Sequence, residues 1–273
     1  MLTFNRIGYY GRLGNQMFQY ASLMGIAKKH GYDYGIPFNN KNETQVLHKH
    51  GHPERLVLAD EFLLSADDSS ISLANEYMFQ ENFSTNYDAR VNELPDNCDL
   101  VGYFQSEKYF NHCKEEIRDE FVFSDKTKDE SFQSGGLSWD GSEVVSLHVR
   151  RTDYLNAPEH HPLPSLEYYK DAWDKIKKKG SKLLVFSDDI DWCKKNIKDD
   201  KDTFYSEGNS QWVDMCMMSM CDHHIIANSS FSWWGAWLNE NPNKIVFAPS
   251  VWIGAASGKI NIDDIYCEGW NIS

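Results

Sequence analysis

Strand-like and helix-like segments alternate through the second half of this 273-residue chain, and turn-forming residues separate them. Val144–Val149 is a short run rich in β-branched residues. Residues 164–179 follow, with a serine placed to cap a helix and lysines in its last turn. Such alternation is typical of βαβ units with a parallel sheet, so we predict a doubly wound α/β fold. The remaining predicted elements are strands at residues 183–186, 203–205, 224–227 and 245–248 and helices at residues 191–197, 211–221 and 232–239.

The first half is less regular. It opens with a predicted strand at residues 2–7, a glycine-rich loop and a helix from about residue 15 to residue 30. Residues 107–121 are also predicted to be helical. Three short segments fit a strand or a short helix equally well, namely residues 61–64, 76–79 and 100–104.

Tryptophan usage divides the chain. All nine tryptophans lie at or after Trp139, and a stretch rich in serine and glycine occupies residues 131–142. We therefore predict two domains, residues 1–138 and residues 139–273.

The balance of charge limits the possible partners. The chain has 27 Lys and Arg residues against 41 Asp and Glu residues, a net charge of −14. Nucleic-acid binding depends on basic residues that neutralise phosphates, so we exclude it. The sequence has neither a signal-peptide pattern nor the ~20 apolar residues of a membrane span. We expect a cytoplasmic protein, and we expect its six scattered cysteines to be reduced. The sequence does not predict an oligomeric state.

An arginine pair follows the predicted strand Val144–Val149. Residues 139–273 contain twelve lysines, but their only arginines are Arg150 and Arg151. A guanidinium binds phosphate through two donors, whereas lysine is a point charge. Because open α/β sheets bind ligands at the carboxyl ends of their strands, the pair predicts a phosphate site. An ion pair with Asp153 is the structural alternative, and it is compatible with that function.

Two other segments of the second half carry ligand-binding chemistry. The sequence NSSFSWW, from Asn228, leads into a helix whose first N–H groups have no partner within the helix, which predicts an anion site. Asp214 lies in an almost wholly apolar helix and therefore needs a partner. That partner is either an internal hydrogen bond or the N–H groups of a ligand.

The loop GYYGRLGNQ (residues 8–16) joins the first strand to the first helix. Its glycines permit tight turns and close approach of the backbone to a ligand. The loop matches neither the GxGxxG pattern nor a Walker A loop. A plain turn is the alternative, although three glycines beside Arg12 and Asn15 exceed what a turn requires.

No spacing demands a metal. Adjacent histidines, at residues 160–161 and 223–224, do not share a helix face, so we expect them to be exposed or structural. Asp188 and Asp189 are possible metal ligands, but we favour loop capping or a ribose contact for them.

Four motifs occur in a fixed order: GRLGNQMFQYA (residues 11–21), HVRRTDY (148–154), FSDD (186–189) and NSSFSWWGAWL (228–238). Together they resemble the motif set of glycosyltransferase family 11, the α-1,2-fucosyltransferases. The resemblance runs from residue 11 to about residue 250, and residues 35–140 carry almost none of it.

The resemblance implies a GT-B fold of two facing, Rossmann-like, doubly wound halves. Residues 1–138 would form the acceptor side and residues 139–273 would bind GDP-β-L-fucose. The implied reaction is inverting transfer of L-fucose to a glycan, with O2 of a terminal β-galactose as the expected acceptor. It needs no obligatory metal or other cofactor. Another acceptor or linkage, or a non-catalytic sugar-nucleotide or glycan-binding protein, remains as an alternative.

The resemblance also implies roles for individual residues. Arg150 and Arg151 would bind the diphosphate, and His148 and Asp214 would contact the nucleoside. Asp153 is the best candidate for a general base, although the resemblance does not decide this. Asn15, with Arg12, is expected to orient the acceptor or the donor. The other expected donor-binding residues are Gly11, Gly14, Ser229, Ser230, Phe231 and Ser232.

Overall fold

The computed structural model describes residues 1–9, 11–38, 55–68, 75–82, 86–134, 136, 139–197, 202–258 and 260–273. The chain divides into two compact units. Unit 1 comprises Met1–Val122 and Ile260–Cys267, and unit 2 comprises Phe123–Lys259 and Glu268–Ser273. Among the helices in these ranges, none combines the length and apolar character required to cross a membrane.

The division falls between residues 122 and 123, not at the predicted boundary between residues 138 and 139. Helix α3 (Asp125–Gln133) belongs to unit 2, where Ser131 Oγ donates a hydrogen bond to the carbonyl of Val213 at 3.4 Å. The segment Ile260–Cys267 belongs to unit 1, where Lys108 Nζ pairs with Asp264 at 2.6 Å. Neither segment contains tryptophan, so the tryptophan distribution could not indicate where they belong.

Unit 1 contains a five-stranded parallel sheet in the order β3-β2-β1-β5-β4. The predicted strand at residues 2–7 is shorter than expected, because turns begin at residue 5. Of the predicted helix at residues 107–121, only residues 114–120 are α-helical, and two short 3-10 turns precede them. Residues 61–64 form neither a strand nor a helix. The elements of unit 1 are β1 (Leu2–Thr3), α1 (Leu13–His30), β2 (Tyr34–Ile36), β3 (Asp67–Asp68), β4 (Tyr77–Gln80), β5 (Cys98–Val101) and α2 (Lys114–Glu120).

Unit 2 contains a six-stranded parallel sheet in the order β11-β10-β9-β6-β7-β8. Each strand and helix predicted from the alternating pattern is present, with bounds that differ by one or two residues at most ends. Besides α3, the elements of unit 2 are β6 (Val144–Val149), α4 (Leu166–Ile176), β7 (Lys182–Ser187), α5 (Ile190–Asn196), β8 (Thr203–Tyr205), α6 (Gln211–Met220), β9 (His223–Ile225), α7 (Ser230–Leu238), β10 (Val246–Ala248) and β11 (Asn271–Ile272).

The two faces of β6 pack against different helices. Val145, Leu147 and Val149 belong to a buried cluster that includes residues of α4 and α5. Val144 belongs to a second cluster, which includes residues of α6. Side chains of a strand alternate between faces, so His148 lies on the same face as Val144. The 5.7 Å separation of the His148 and Phe231 rings agrees with this, since Phe231 packs against the second cluster.

In each sheet the chain starts at a central strand, builds one side, and then crosses to the other. In unit 1 the strands β2 and β3 lie on one side of β1, and β5 and β4 lie on the other. In unit 2 the strands β7 and β8 lie on one side of β6, and β9, β10 and β11 lie on the other. Open parallel sheets bind ligands where the strand order reverses in this way. The two positions are the carboxyl ends of β1 and β5 and the carboxyl ends of β6 and β9.

A buried carboxylate fixes the loop that follows β5. Glu81 is only 5% exposed, and its Oε2 accepts hydrogen bonds from the backbone N–H groups of Tyr103 and Phe104, each at 2.8 Å. Its Oε1 accepts from the Tyr109 hydroxyl at 3.1 Å. Phe104 has φ 51°, a left-handed conformation that typically costs a bulky residue about 1–3 kcal/mol. The hydrogen bonds to Glu81 hold the backbone in this strained conformation.

Replacing Glu81 by glutamine is expected to change how stability depends on pH. Burial raises the pKa of Glu81 from 4.5 to about 7, despite its hydrogen bonds. The folded state therefore binds this proton more tightly than the unfolded state does. The favourable contribution is complete below pH 4.5, and up to about 3 kcal/mol is lost as the pH rises through 7.

Glutamine keeps the acceptor for the two N–H groups and has no proton to lose in this range. Glu81→Gln should therefore gain stability relative to the wild type between pH 5 and pH 8. Urea unfolding followed by circular dichroism at both pH values measures this difference. If the difference in unfolding free energy between the two proteins is the same at pH 5 and pH 8, Glu81 ionises at its ordinary pKa.

Candidate active site

Arg150 lies just beyond the carboxyl end of β6 and is held by two carboxylates. Its Nη2 donates to Asp153 Oδ2 at 2.7 Å, and its Nη1 lies 3.3 Å from Asp188 Oδ2. Burial works to lower the pKa of Arg150, but the two carboxylates raise it overall. The ion pair with Asp153, which the sequence left as an alternative, is therefore present. The guanidinium is locked in place and 17% exposed.

Arg151 has a different environment. Its Nε donates to Asp189 Oδ2 at 3.1 Å, and its guanidinium carbon lies 4.0 Å from the centre of the Trp192 ring. Trp192 packs against the cluster that contains Val149, so Arg151 leans toward the α4 and α5 face of the sheet. Arg150, two positions after His148, follows the opposite face. The adjacent arginines thus point to different sides of β6.

The acidic pair after β7 supports the arginine loop. Asp188 accepts from the backbone N–H groups of Arg151 at 2.9 Å and Thr152 at 3.2 Å, and from the Thr152 hydroxyl at 2.5 Å. Asp189 caps α5, since its Oδ1 accepts from the N–H group of Trp192. Of the two roles that the sequence favours for these aspartates, loop capping and a ribose contact, the hydrogen bonds show loop capping.

His148 is a neutral side chain inside the site. It is 5% exposed, and burial together with the nearby Arg150 charge lowers its pKa to about 3. Its Nδ1 is buried and has no hydrogen-bond partner among the residues that the structure describes. A neutral imidazole at this position offers one donor and one acceptor to a ligand and does not act as a cation near pH 7.

Helix α7 begins at the carboxyl end of β9 without a side-chain cap. Ser229 occupies the N-cap position but makes no capping hydrogen bond, whereas serine or aspartate side chains cap α3, α4, α5 and α6. The Tyr154 hydroxyl donates to the Asn228 carbonyl at 2.9 Å and so ties the arginine loop to the start of α7. The first N–H groups of α7, those of Ser230, Phe231 and Ser232, have no partner within the helix. They lie at the positive end of the helix dipole, which favours binding of an anion.

Asp214 lies in the first turn of α6, beside Ser206 and Asn209. Its Oδ1 accepts from the Ser206 hydroxyl at 2.5 Å, and burial raises the pKa of its carboxyl above the ordinary value. The internal hydrogen bond that the sequence left as an alternative is therefore present. It engages one oxygen of the carboxylate.

The glycine-rich loop belongs to unit 1. Arg12 is the N-cap residue of α1, and no side chain caps that helix. Gly14 is buried in the first turn of α1, and Asn15 is partly exposed there. Gly11 has φ 87°, and a Cβ at this position would lie 2.0 Å from Asn15 Nδ2. Tyr10 lies outside the described residues.

The structure therefore brings the predicted residues together as two groups. His148, Arg150, Arg151, Asp153 and the start of α7 lie at the carboxyl ends of β6 and β9, with Asp214 in the same unit. Gly11, Arg12, Gly14 and Asn15 lie after β1 in unit 1. Sequence reasoning missed the supporting roles of Tyr154, of Trp192 and of Gln105, whose Nε2 donates to Asn15 Oδ1 at 2.7 Å. Only Tyr154 lay inside a recognised motif, so the others gave no signal.

Comparison with known proteins shows the family of this chain. The sequence model described as Glycosyl transferase family 11 matches residues 2–273. The chain belongs to glycosyltransferase family 11. It is 34% identical over 264 residues to an alpha-1,2-colitosyltransferase of Escherichia coli, and the alignment covers 89% of this chain and 90% of that protein. It is 29% identical to galactoside alpha-(1,2)-fucosyltransferase 1 of Leontocebus fuscicollis, over 84% of this chain and 63% of that protein. This member of family 11 is thus a glycosyltransferase of the fucosyltransferase type, as the motifs predicted.

Two solved structures share its fold. The alpha-1,6-fucosyltransferase NodZ, soaked with GDP-fucose, aligns with a TM-score of 0.55 at 14% identity and covers 90% of this chain and 94% of NodZ. POFUT1 in complex with GDP aligns with a TM-score of 0.55 at 13% identity, over 90% and 97% of the two chains. The predicted GT-B type of fold, with two parallel-sheet α/β halves, is confirmed.

Proposed function

We propose that this family 11 enzyme transfers L-fucose from GDP-β-L-fucose to O2 of a terminal β-galactose, with inversion at the anomeric carbon. One observation carries the proposal: Arg150 and the uncapped start of α7 follow adjacent parallel strands, β6 and β9, where the strand order reverses. A guanidinium and a helix N-terminus form a site suited to a diphosphate. The names of the relatives supply the sugar and the linkage.

In the proposed reaction, the acceptor hydroxyl oxygen attacks the anomeric carbon of fucose from the face opposite the diphosphate. The bond between that carbon and the diphosphate oxygen breaks, and GDP leaves with the electron pair. The acceptor proton passes to a base or to solvent. Arg150 and the first N–H groups of α7 stabilise the charge that develops on the leaving phosphate. Donors placed in this way are worth about 3–4 kcal/mol each in barrier height.

We assign Asp153 first to holding Arg150, because the 2.7 Å ion pair engages its Oδ2. A separate base is less necessary when the leaving group is well stabilised. His148 contacts the nucleotide as a neutral group, and Asp214 accepts from the N–H groups of the guanine. Gly11, Arg12, Gly14 and Asn15, which belong to unit 1, bind a substrate, and Asn15 with Arg12 orients it.

We propose that the reaction needs no divalent metal. The positive charge next to the diphosphate comes from Arg150, Arg151 and the α7 dipole. The acidic pair after β7 is engaged by backbone N–H groups and by Arg151. Transfer should therefore proceed at its full rate in EDTA, and activity that appears only after addition of Mn²⁺ would contradict this.

A second candidate donor is a nucleotide-activated colitose, because the 34% identical relative is an alpha-1,2-colitosyltransferase. Both candidates share the proposed diphosphate site and differ only in the sugar. The experiment is to incubate the purified protein with each donor and a panel of galactosides in EDTA, and to measure release of GDP. Release with fucose and a β-galactoside is expected. Absence of GDP release with every acceptor and with both donors would favour a binding protein instead.

A further inference from the structure

The carboxyl ends of β1 and β5 form a second ligand-binding position, by the same topological rule as those of β6 and β9. The loop that carries Gly11 and Asn15 follows β1. The loop at residues 102–106 follows β5, which is paired in parallel with β1. The side chains of the two loops meet, because Gln105 Nε2 donates a hydrogen bond to Asn15 Oδ1 at 2.7 Å.

This hydrogen bond fixes how the Asn15 amide is oriented. The bond engages Oδ1, whereas Nδ2 makes no hydrogen bond to the residues that the structure describes. Gly11 lies close to the same amide, since a Cβ added to Gly11 would lie 2.0 Å from Asn15 Nδ2. Asn15 thus presents a neutral N–H donor, which suits an uncharged sugar hydroxyl.

The loop that supplies Gln105 is anchored on both sides. Glu81 accepts from the N–H groups of Tyr103 and Phe104. From α1, Gln19 Nε2 donates to the Gly102 carbonyl at 3.1 Å, and Ser22 Oγ donates to the Phe104 carbonyl at 3.2 Å.

The conformation of this loop is unusual. Phe104, directly before Gln105, is one of two non-glycine residues with positive φ among the described residues. At Gly102, with φ 156°, a Cβ would lie 2.6 Å from Glu81 Oε2. Backbone strain that the surrounding structure maintains is common at functional sites.

We propose that Gln105 is a positioning residue, which orients the Asn15 amide so that its Nδ2 donates to a hydroxyl of the acceptor sugar. The loop at residues 102–106, which donates two hydrogen bonds to Glu81, holds Gln105 in this position. This inference rests on the proposed function, since it deepens the role of Asn15 in transfer.

The test uses two substitutions of opposite hydrogen-bonding character. Gln105→Glu has nearly the same shape, but its carboxylate accepts from Asn15 Nδ2 instead of donating to Oδ1, so the donor for the acceptor sugar is lost. We expect kcat/KM for the acceptor to fall roughly 10- to 100-fold, with unchanged affinity for GDP. Gln105→Lys retains a donor and should recover part of the activity. Gln133→Glu, an exposed change of the same charge in α3, is the matched control and should behave like the wild type.

A pH profile separates positioning from a structural role. When the carboxyl introduced by Gln105→Glu is protonated, below about pH 5, it can donate again. The activity of the variant relative to the wild type should therefore rise as the pH falls through this range. A ratio that stays constant with pH, or wild-type kcat/KM in Gln105→Glu, would overturn the inference.

The inference also has a readout that does not need turnover. The NMR signal of the Asn15 side-chain amide, assigned with Asn15→Asp, should shift in Gln105→Glu and remain close to the wild type in Gln105→Lys. If the wild type transfers no sugar, the proposed function fails, and this signal still decides whether Gln105 orients Asn15. An Asn15 signal that is the same in all the variants would show that it does not.

Discussion

Replacing Arg150 by lysine is expected to lower kcat/KM for transfer at least ~100-fold, the largest effect of any conservative change in the site. Arg150 follows His148 by two positions, and the His148 ring lies 5.7 Å from the ring of Phe231 in the first turn of α7. Lysine keeps the charge but loses the planar set of donors that is held by Asp153 and Asp188. Loss of one donor aimed at a developing negative charge costs about 3 kcal/mol, which corresponds to roughly 100-fold in rate.

Arg151→Lys is the matched comparison, because it makes the same change one residue further along. Arg151 is stacked on Trp192 and leans toward the other face, so we expect a smaller loss of about 10-fold. Steady-state kinetics of both variants shows which of them loses more kcat/KM, and thermal unfolding checks that both are folded. A larger loss for Arg151→Lys would assign the leaving-group role to Arg151 and refute the face argument.

Replacing Asp214 by asparagine is expected to produce the second large effect, on the choice of nucleotide. If Asp214 accepts from the N–H groups of guanine, an amide can satisfy only part of that pattern, because its NH₂ group faces donors. Sites built to hydrogen-bond a substrate discriminate strongly, since an unmatched buried polar group is costly. We expect binding of GDP to weaken roughly 10- to 100-fold and the preference for GDP over other nucleoside diphosphates to fall with it.

Isothermal titration with GDP and with ADP measures both quantities. Ser206→Ala is the control, because it removes the 2.5 Å hydrogen bond to Asp214 but leaves the carboxylate in place. This control should retain the preference for guanine. An equal loss of affinity for GDP and ADP in Asp214→Asn, together with a lower Tm, would mean that Asp214 is only a structural residue of α6.

The sequence predicted the fold of unit 2 well, because its strands are short apolar runs and the helices α4, α5 and α6 have serine or aspartate caps. Ser165 accepts from the backbone at the start of α4, as its position suggested, and Ser210 does the same at the start of α6. Other elements were missed for physical reasons. β2, β3 and β11 have only two or three residues each, and the strands beside them define them more than their own composition does. α3 is polar over most of its length, so it lacks an apolar stripe.

The candidate site was predictable in its residue types but not in its contacts. The arginine pair, the serine-rich helix start and the glycine loop all stood out from their surroundings. Their partners are distant in the chain: Asp188 is 37 residues from the Arg151 N–H group that it binds, and Gln105 is 90 residues from Asn15. Only the order of the strands brings such residues together. The two arginines looked equivalent in the sequence and became distinct through the alternation of β6.

The product of the reaction tests the central claim most directly. Incubation of the wild-type enzyme with GDP-β-L-fucose and a terminal β-galactoside in EDTA, followed by NMR of the purified product, reports the linkage and the anomeric configuration together. The account predicts one fucose joined to O2 of galactose in the α configuration. A β-linked product, fucose at another position, or free fucose without transfer would contradict it.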